Sequence, residues 1–174
     1  MNVASSNQLA YANFVYDENF TGLAKNMPCD INIICGMTSE DTMPLIFYIM
    51  MRLLAKKQKG HSNVYSYYFC RQLPGDNLGA WHSSDLWYTY GALDKCWRPF
   101  TEEDRHLSDI MMRYFANFIC TGNPNGKGLE HWPSYKQDKK AFMHFDVGEC
   151  KAKKLKILNI LQNTFCKKTL ESGF

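Results

Sequence analysis

Two side chains in this sequence have the types and positions that proton-transfer chemistry requires, Asp41 and His82. Asp41 follows a segment that is predicted to be a strand, and His82 follows the next predicted strand, beyond a loop. In a serine–histidine–acid triad the acid contacts the distal ring nitrogen of the histidine, where it fixes the tautomer and stabilises the imidazolium ion. Adjacent parallel strands lie roughly 4.8 Å apart, so side chains on the two following loops can meet. The pattern therefore predicts a histidine–carboxylate pair.

The elements that must position this pair are predicted to form a βαβ unit. Residues 30–35 are predicted as a mostly buried strand that ends at Gly36, and residues 64–69, which are β-branched and aromatic, as a second strand. Between them Pro44 begins a helix over residues 45–57. Strand, helix and strand in this order imply two parallel strands joined by a right-handed crossover. Both strands then end at the edge of the sheet where ligands and catalytic groups gather.

The second half of the chain is predicted to add two helices and a strand. Thr101 begins the clearest helix, with a capping box to Asp104 and a stop at Gly122. Residues 141–146 are predicted as a strand and residues 155–165 as the terminal helix. The basic residues near the C-terminus are interpreted as a solvated helix face: Lys151, Lys153, Lys154, Lys156, Lys167 and Lys168.

Composition sets the broad class and excludes several others. The 174 residues are 45% hydrophobic and 21% charged, which is typical of one globular domain, here with residues 1–13 as a flexible N-terminus. The net charge of +3 is too small to indicate a nucleic-acid partner. The seven cysteines are odd in number and contain no Cys-x-x-Cys, so neither a disulfide framework nor a zinc site is indicated. No apolar run is long enough for a membrane span or signal peptide, and we expect a reducing, cytoplasmic location and no cofactor.

Several segments, in order, are similar to a known family. Residues 79–91 (Gly-Ala-Trp-His-Ser-Ser-Asp-Leu-Trp-Tyr-Thr-Tyr-Gly) resemble the catalytic-histidine segment of the type B carboxylesterases, the group that includes the cholinesterases. Residues 33–41 resemble the strand and loop that present the acid of the triad, and residues 64–69 the strand before the histidine. Residues 111–125 resemble the long C-terminal helix and its stop, and residues 132–135 match the family's Trp-Pro-x-Tyr.

The resemblance implies a fold and a role for each matched residue. The fold would be α/β, the C-terminal part of an α/β-hydrolase, with a short, mostly parallel sheet packed by helices. His82 falls on the general base, and Asp41 falls on the acid, where the family commonly has Glu. Asp85 falls on the acidic position after the histidine and is expected to support the local loop. In a complete member of the family these residues hydrolyse esters through an acyl-enzyme.

The chain departs from the family pattern in what it lacks. It contains no Gly-x-Ser-x-Gly elbow and no Gly-rich loop for an oxyanion, and His82 follows Asp41 by only 41 positions, fewer than is usual. We therefore expect a chain that is truncated at one end and internally deleted. No serine has a flanking glycine elbow, including Ser39, Ser66, Ser83, Ser84, Ser108 and Ser134. The histidines have no metal-ligand spacing, so no metal site is expected: His61, His82, His106, His131 and His144.

Three hypotheses remain open at this point. The chain is an esterase-derived fragment that is inactive alone and acts on a carboxylic ester only if another chain supplies the serine. Alternatively it is a non-catalytic interaction module whose unpaired first strand and uncovered aromatic faces are covered by homo-oligomerisation or a partner. The third hypothesis is a non-functional remnant of a disrupted esterase gene.

Overall fold

The computed structural model describes residues 30–41, 44–58, 62–139 and 141–154. Four strands form one sheet in the order β1 (Ile33–Thr38), β2 (Val64–Phe69), β3 (Ala141–Asp146) and β4 (Glu149–Lys154). The first three strands are parallel and β4 is antiparallel to β3. The predicted α/β class with a mostly parallel sheet is confirmed.

Helices cover the two faces of the sheet. Helix α1 (Pro44–Lys57) packs on one face through Tyr48 and Met51. Helix α3 (Glu102–Thr121) packs on the other, and the short helix α2 (Leu86–Thr89) and a 3₁₀ turn (Leu93–Lys95) precede it. All six residues of β2 are buried, as expected for a central strand with both faces covered.

The first strand lies three residues later than predicted, since it begins at Ile33 and not at residue 30. It does not end at Gly36 but runs through it to Thr38. Gly36 lies beside Tyr67 in the parallel register, and a Cβ atom at position 36 would come within 2.3 Å of the Tyr67 ring. Only glycine fits at position 36 because the tyrosine ring occupies the space of a side chain, and this glycine does not mark the end of the strand.

Helix α3 begins and ends as predicted. Thr101 Oγ1 accepts a hydrogen bond from the Asp104 N–H, and the Asp104 carboxylate accepts one from the Thr101 N–H, which completes the capping box. Gly122 ends the helix in the left-handed region at φ 74°. The buried face of the helix carries Tyr114, whose ring meets that of Trp132 edge to face at 5.3 Å. This aromatic cluster is the main core of the protein.

The interpretation of the C-terminal lysines as a helix face is wrong where the structure describes them. Lys151, Lys153 and Lys154 lie on β4, whose residues from Glu149 to Lys153 alternate polar and small apolar side chains. That period of two is typical of a half-buried strand. Lys151 and Lys153 form ion pairs with Glu149, and these pairs lower the pKa of Glu149 to about 2.

Two predicted segments lie outside the described residues, the flexible N-terminus at 1–13 and the terminal helix at 155–165. Among the residues that are described, none of the helices combines the length and the apolarity needed to cross a bilayer.

Candidate active site

The structure brings Asp41 and His82 together at the edge where β1 and β2 both end. Asp41 follows β1 by three residues, and His82 lies on the loop between β2 and α2. His82 Nδ1 is 3.1 Å from Asp41 Oδ1, within hydrogen-bond distance. The neighbouring carboxylate of Glu40 contacts the Ser39 hydroxyl at 3.5 Å instead, so the fold selects the second of two adjacent acids.

The two members of the pair differ in their exposure to water. The Asp41 side chain is 5% exposed, whereas that of His82 is 61% exposed. A carboxylate that is shielded from water interacts more strongly with a neighbouring imidazole than a fully hydrated carboxylate does, because the local dielectric constant is lower. The arrangement presents an accessible imidazole on a fixed, buried acceptor, which is the geometry that a general base needs.

Backbone hydrogen bonds hold the two loops against each other. The Ser39 N–H donates to the Phe69 carbonyl at 2.8 Å, and the Glu40 N–H donates to the Ala80 carbonyl at 3.0 Å. Gly79 has φ 71°, and a Cβ there would lie 2.5 Å from Glu40 Cγ. Only glycine fits this close approach at a positive φ, so position 79 helps set the distance between the acid loop and the histidine loop.

An aromatic ring on α1 packs beside the imidazole. Phe47 lies parallel to His82, with ring centroids 6.3 Å apart and planes inclined by 18°. Sequence analysis missed this contact. The available signal was the position of Phe47 in the first turn of a helix that begins shortly after Asp41.

A buried hydrogen bond fixes the histidine loop to the central strand. The Tyr67 hydroxyl donates to Asp85 Oδ2 at 2.5 Å, and Asp85 itself is buried. Burial, followed by the charge of Asp85, raises the pKa of Tyr67 well above its usual range, so the phenol stays a donor. Asp85 therefore supports the loop, the role that its position indicated.

A second anchor joins the two ends of the same loop to α3. Asp104, with a side chain that is 0% exposed, accepts from Arg71 Nε at 2.7 Å and from the Tyr88 hydroxyl at 2.7 Å. Arg71 follows β2 and Tyr88 lies in α2, so the two donors lie on either side of His82 along the chain. One buried carboxylate thus holds both flanks of the histidine loop.

The site also contains backbone strain and buried polar atoms without partners. Ser83, next to His82, has φ 71°, the one non-glycine residue in the described ranges with a positive φ. Four buried polar atoms have no hydrogen-bond partner within those ranges. His144 Nδ1 lies on β3, and the other three lie close in sequence to Asp41 or His82: Thr38 Oγ1, Trp81 Nε1 and Ser84 Oγ. A shallow cavity of about 180 Å³ lies between the end of β1 and the histidine loop, and Thr38, Asp41 and His82 are among the residues that line it.

Within the described residues, no serine accompanies the Asp41–His82 pair. None of their serine hydroxyls is hydrogen-bonded to His82, and Ser108, for example, donates to the Tyr88 carbonyl at 2.8 Å. No group of three or more potential metal ligands occurs in these ranges either. His106 and His131 are exposed, and burial lowers the pKa of His144 on β3, whereas His61 lies outside the described residues.

A larger groove of about 710 Å³ lies between the start of α3 and the β3–β4 hairpin. It is lined by carboxylates, among them Glu103 and Glu130, and by aliphatic side chains. It contains no histidine–carboxylate pair like that of Asp41 and His82, so the smaller cavity is the candidate active site.

Comparison with known proteins identifies relatives of this chain. The profile of the carboxylesterase family matches residues 32–163. The medium-chain fatty acyl-CoA hydrolase precursor of Anas platyrhynchos is 30% identical over 154 residues, which are 82% of this chain and 26% of that protein. The cocaine esterase of Homo sapiens is 59% identical over 39 residues, 22% of this chain and 7% of that protein.

A solved structure shows the same fold. An esterase from Clostridium hathewayi, described as hydrolysing aliphatic aromatic polyesters, superposes with a TM-score of 0.57 and 28% identity. The match covers 73% of this chain and 24% of that one. The chain thus spans about a quarter of the length of this esterase and of the duck hydrolase.

Proposed function

Because the chain belongs to the carboxylesterase family, we propose that it supplies the general base and the acid of a carboxylic ester hydrolase. His82 is the base and Asp41 is the acid, and together with the strands they form part of a single α/β-hydrolase domain. The observation that carries the proposal is the 3.1 Å contact between the exposed imidazole of His82 and the buried carboxylate of Asp41, beyond the ends of two parallel strands.

The chemistry follows from the two ring nitrogens. A serine hydroxyl attacks the ester carbonyl while the free ring nitrogen of His82 accepts its proton, and the same proton is then given to the departing alkoxide. Water hydrolyses the acyl-enzyme with His82 again as base. Asp41, at the other nitrogen, holds the tautomer and stabilises the imidazolium ion in both steps.

In this proposal the serine comes from polypeptide outside these 174 residues, because they contain no Gly-x-Ser-x-Gly elbow. Three of the four unpartnered polar atoms, Thr38 Oγ1, Trp81 Nε1 and Ser84 Oγ, support it. Each buried donor or acceptor without a partner costs about 1–3 kcal/mol, and all three adjoin the loops of Asp41 or His82. A segment that bears the serine and packs against these loops would supply the missing hydrogen bonds. The chain by itself is accordingly inactive.

A labelling and complementation experiment tests the proposal. The isolated chain should give no stoichiometric product with an organophosphonate serine probe. It is then mixed with the elbow-bearing portion of a longer carboxylesterase that lacks its own histidine, and hydrolysis of p-nitrophenyl butyrate is measured. Restored activity should fall on the order of 10⁴-fold with Asp41→Asn and be lost with His82→Ala. His131→Ala, another exposed histidine, is the control. Labelling of one serine in the isolated chain would refute the need for an outside nucleophile.

A second measurement tests the pair without a complementing segment. Nitrogen-15 spectra of the imidazoles at pH 8 should show His82 protonated at Nδ1, since that nitrogen donates to Asp41. In Asp41→Asn the share of this tautomer should fall, while that of His131 stays the same. An unchanged His82 tautomer would show that Asp41 does not orient the ring.

A further inference from the structure

The hydrogen bond to Asp41 restrains the His82 imidazole at a single atom. Asp41 Oδ1 lies 3.1 Å from Nδ1, and the His82 side chain is 61% exposed. One hydrogen bond fixes the position of that nitrogen, but the plane of the ring can still turn about the contact. A general base must hold its other nitrogen within about 2.6–3.2 Å of the group that it deprotonates. The direction of Nε2 therefore needs a second restraint on the ring.

Phe47 makes a contact of a different kind with the same ring. It lies against a face of the imidazole, with ring centroids 6.3 Å apart and planes inclined by 18°. Offset stacking with centroids about 4.5–7 Å apart is a favoured arrangement of aromatic rings. The hydrogen bond acts in the plane of the imidazole, whereas the stacked ring acts against its face. Together the two contacts define both the position and the plane of the imidazole.

The packing of α1 holds Phe47 in place. The next residue, Tyr48, is 4% exposed and stacks on Phe142 of β3 with centroids 5.8 Å apart. Consecutive residues of a helix point about 100° apart, so this anchor fixes the rotation of α1 and with it the direction of Phe47. Phe47 itself is partly buried against the core cluster that contains Tyr48 and Phe142. The phenyl ring is thus held by the core of the protein and not by the histidine loop.

The chain carries Phe47 and Asp41 on one short connection. Only residues 42 and 43 separate Asp41 from Pro44, the first residue of α1. A helix that follows the acid so closely begins at the edge of the sheet where β1 ends, so its first turn lies beside the acid loop. The residues that contact the two ring nitrogens' plane and its edge are therefore six positions apart, and the contacts cannot move independently.

The phenyl ring leaves the cavity side of His82 open. The cavity of about 180 Å³ is lined by Asp41, His82 and Leu86, among others, whereas Phe47 does not line it. We propose that Phe47 is a positioning residue, which fixes the plane of the imidazole so that Nε2 stays directed at the serine hydroxyl. The inference rests on the proposed role of His82 as the general base.

Magnetic resonance of the isolated full chain tests the positioning without a serine. Nuclear Overhauser effects should connect the ring protons of Phe47 and His82, and carbon-13 relaxation at His82 Cε1 should give an order parameter near the rigid value of about 0.85. Phe47→Leu fills the cluster but presents no flat face, so the order parameter should fall below about 0.6. Phe47→Tyr keeps the face and should restore it. Ile49→Ala, at a 45% exposed position of α1, is the control, and circular dichroism verifies the fold of each variant.

The tautomer of His82 separates positioning from a general loss of structure. The hydrogen bond to Asp41 selects the tautomer with the proton on Nδ1, so this tautomer should persist in Phe47→Leu while the ring becomes mobile. Loss of the tautomer together with the order parameter would overturn the proposal, because Phe47 would then support the whole loop. An unchanged order parameter in Phe47→Leu, no recovery in Phe47→Tyr, or no Overhauser effect in the wild type overturns it equally.

Kinetics of the complemented mixture measure the catalytic consequence. With p-nitrophenyl butyrate, Phe47→Leu should lower kcat on the order of tenfold, since a small misplacement of a reacting group is costly. KM should stay within about twofold because Phe47 does not line the cavity, and Phe47→Tyr should recover kcat. A Phe47→Leu mixture with the kcat of the wild type overturns the positioning role. An inactive wild-type mixture would refute the proposed function instead, and the relaxation measurement then decides by itself whether Phe47 orders the ring.

Discussion

Replacing Asp104 by alanine should both destabilise the protein and loosen the histidine loop. The carboxylate is fully buried and accepts from Arg71, Tyr88 and the Thr101 cap. Removal of one partner from a buried ion pair costs about 3–5 kcal/mol because a charge is left uncompensated. The Arg71 side chain is 22% exposed, so water can hydrate its guanidinium once the carboxylate is gone. The cost of breaking the Arg71–Asp104 ion pair therefore lies at the lower end of that range. Loss of the helix cap adds about 1 kcal/mol.

The contributions share one side chain and do not simply add, so we expect the free energy of unfolding to fall by about 4 kcal/mol. Urea unfolding followed by tryptophan fluorescence should show the midpoint lowered by about 2 M with an unchanged slope. Asp94→Ala is the matched control, since it breaks an ion pair with Arg105 in which the aspartate is 72% exposed. Surface pairs contribute little, and the midpoint of this control should not change measurably.

The same variant reports on the site. Arg71 and Tyr88 lie on either side of His82, so the loss of their shared acceptor should broaden the His82 ring resonances while those of His131 remain sharp. Equal midpoints for Asp104→Ala and Asp94→Ala would show that the buried network does not hold the loop, and the reasoning about its position would be wrong.

Two further changes test strain and charge. Ser83→Gly removes a serine from the left-handed region of backbone conformation, so the free energy of unfolding should rise by up to about 1 kcal/mol in a thermal unfolding assay. Ser39→Gly is the control: φ is not positive at Ser39, so this change should lower the free energy of unfolding in the same assay. Although burial opposes it, the hydrogen bonds from Arg71, Thr101 and Tyr88 hold the pKa of Asp104 below its usual value. Its contribution is therefore complete above the unfolded pKa of about 4 and is lost as pH falls below it. Urea midpoints between pH 7 and 3 should fall more steeply for the wild type than for Asp104→Asn, and parallel curves would contradict this.

The elements whose limits could be predicted from sequence have strong local signals. Thr101, Asp104 and Gly122 fix α3 because capping groups act within a few residues of the helix ends. The limit of β1 was misplaced because the reason for Gly36 is the ring of Tyr67, which is distant in sequence. β4 was missed because its lysines were interpreted as the solvated face of a helix. The alternation of polar and apolar residues becomes visible only when Cys150 and Ala152 are assigned to the same face of a strand.

In the candidate site, too, some features could be predicted from sequence and others could not. The meeting of Asp41 with His82 follows from strand order, since parallel neighbours end at one edge. The contacts that fix the pair do not follow from it. Phe47 beside the imidazole and the Tyr67–Asp85 hydrogen bond depend on side-chain packing across two elements. No spacing in the sequence encodes them.

The short interval between Asp41 and His82 has a simple geometric explanation. A parallel pair needs a crossover of about a dozen residues or more, and α1 supplies 14. At 1.5 Å per residue this helix is about 21 Å long, which matches the length of a six-residue strand. The chain that leaves β1 is therefore returned to the start of β2 by one helix alone. Additional helices between the acid and the histidine can shape a pocket, but the contact of Asp41 with His82 does not require them.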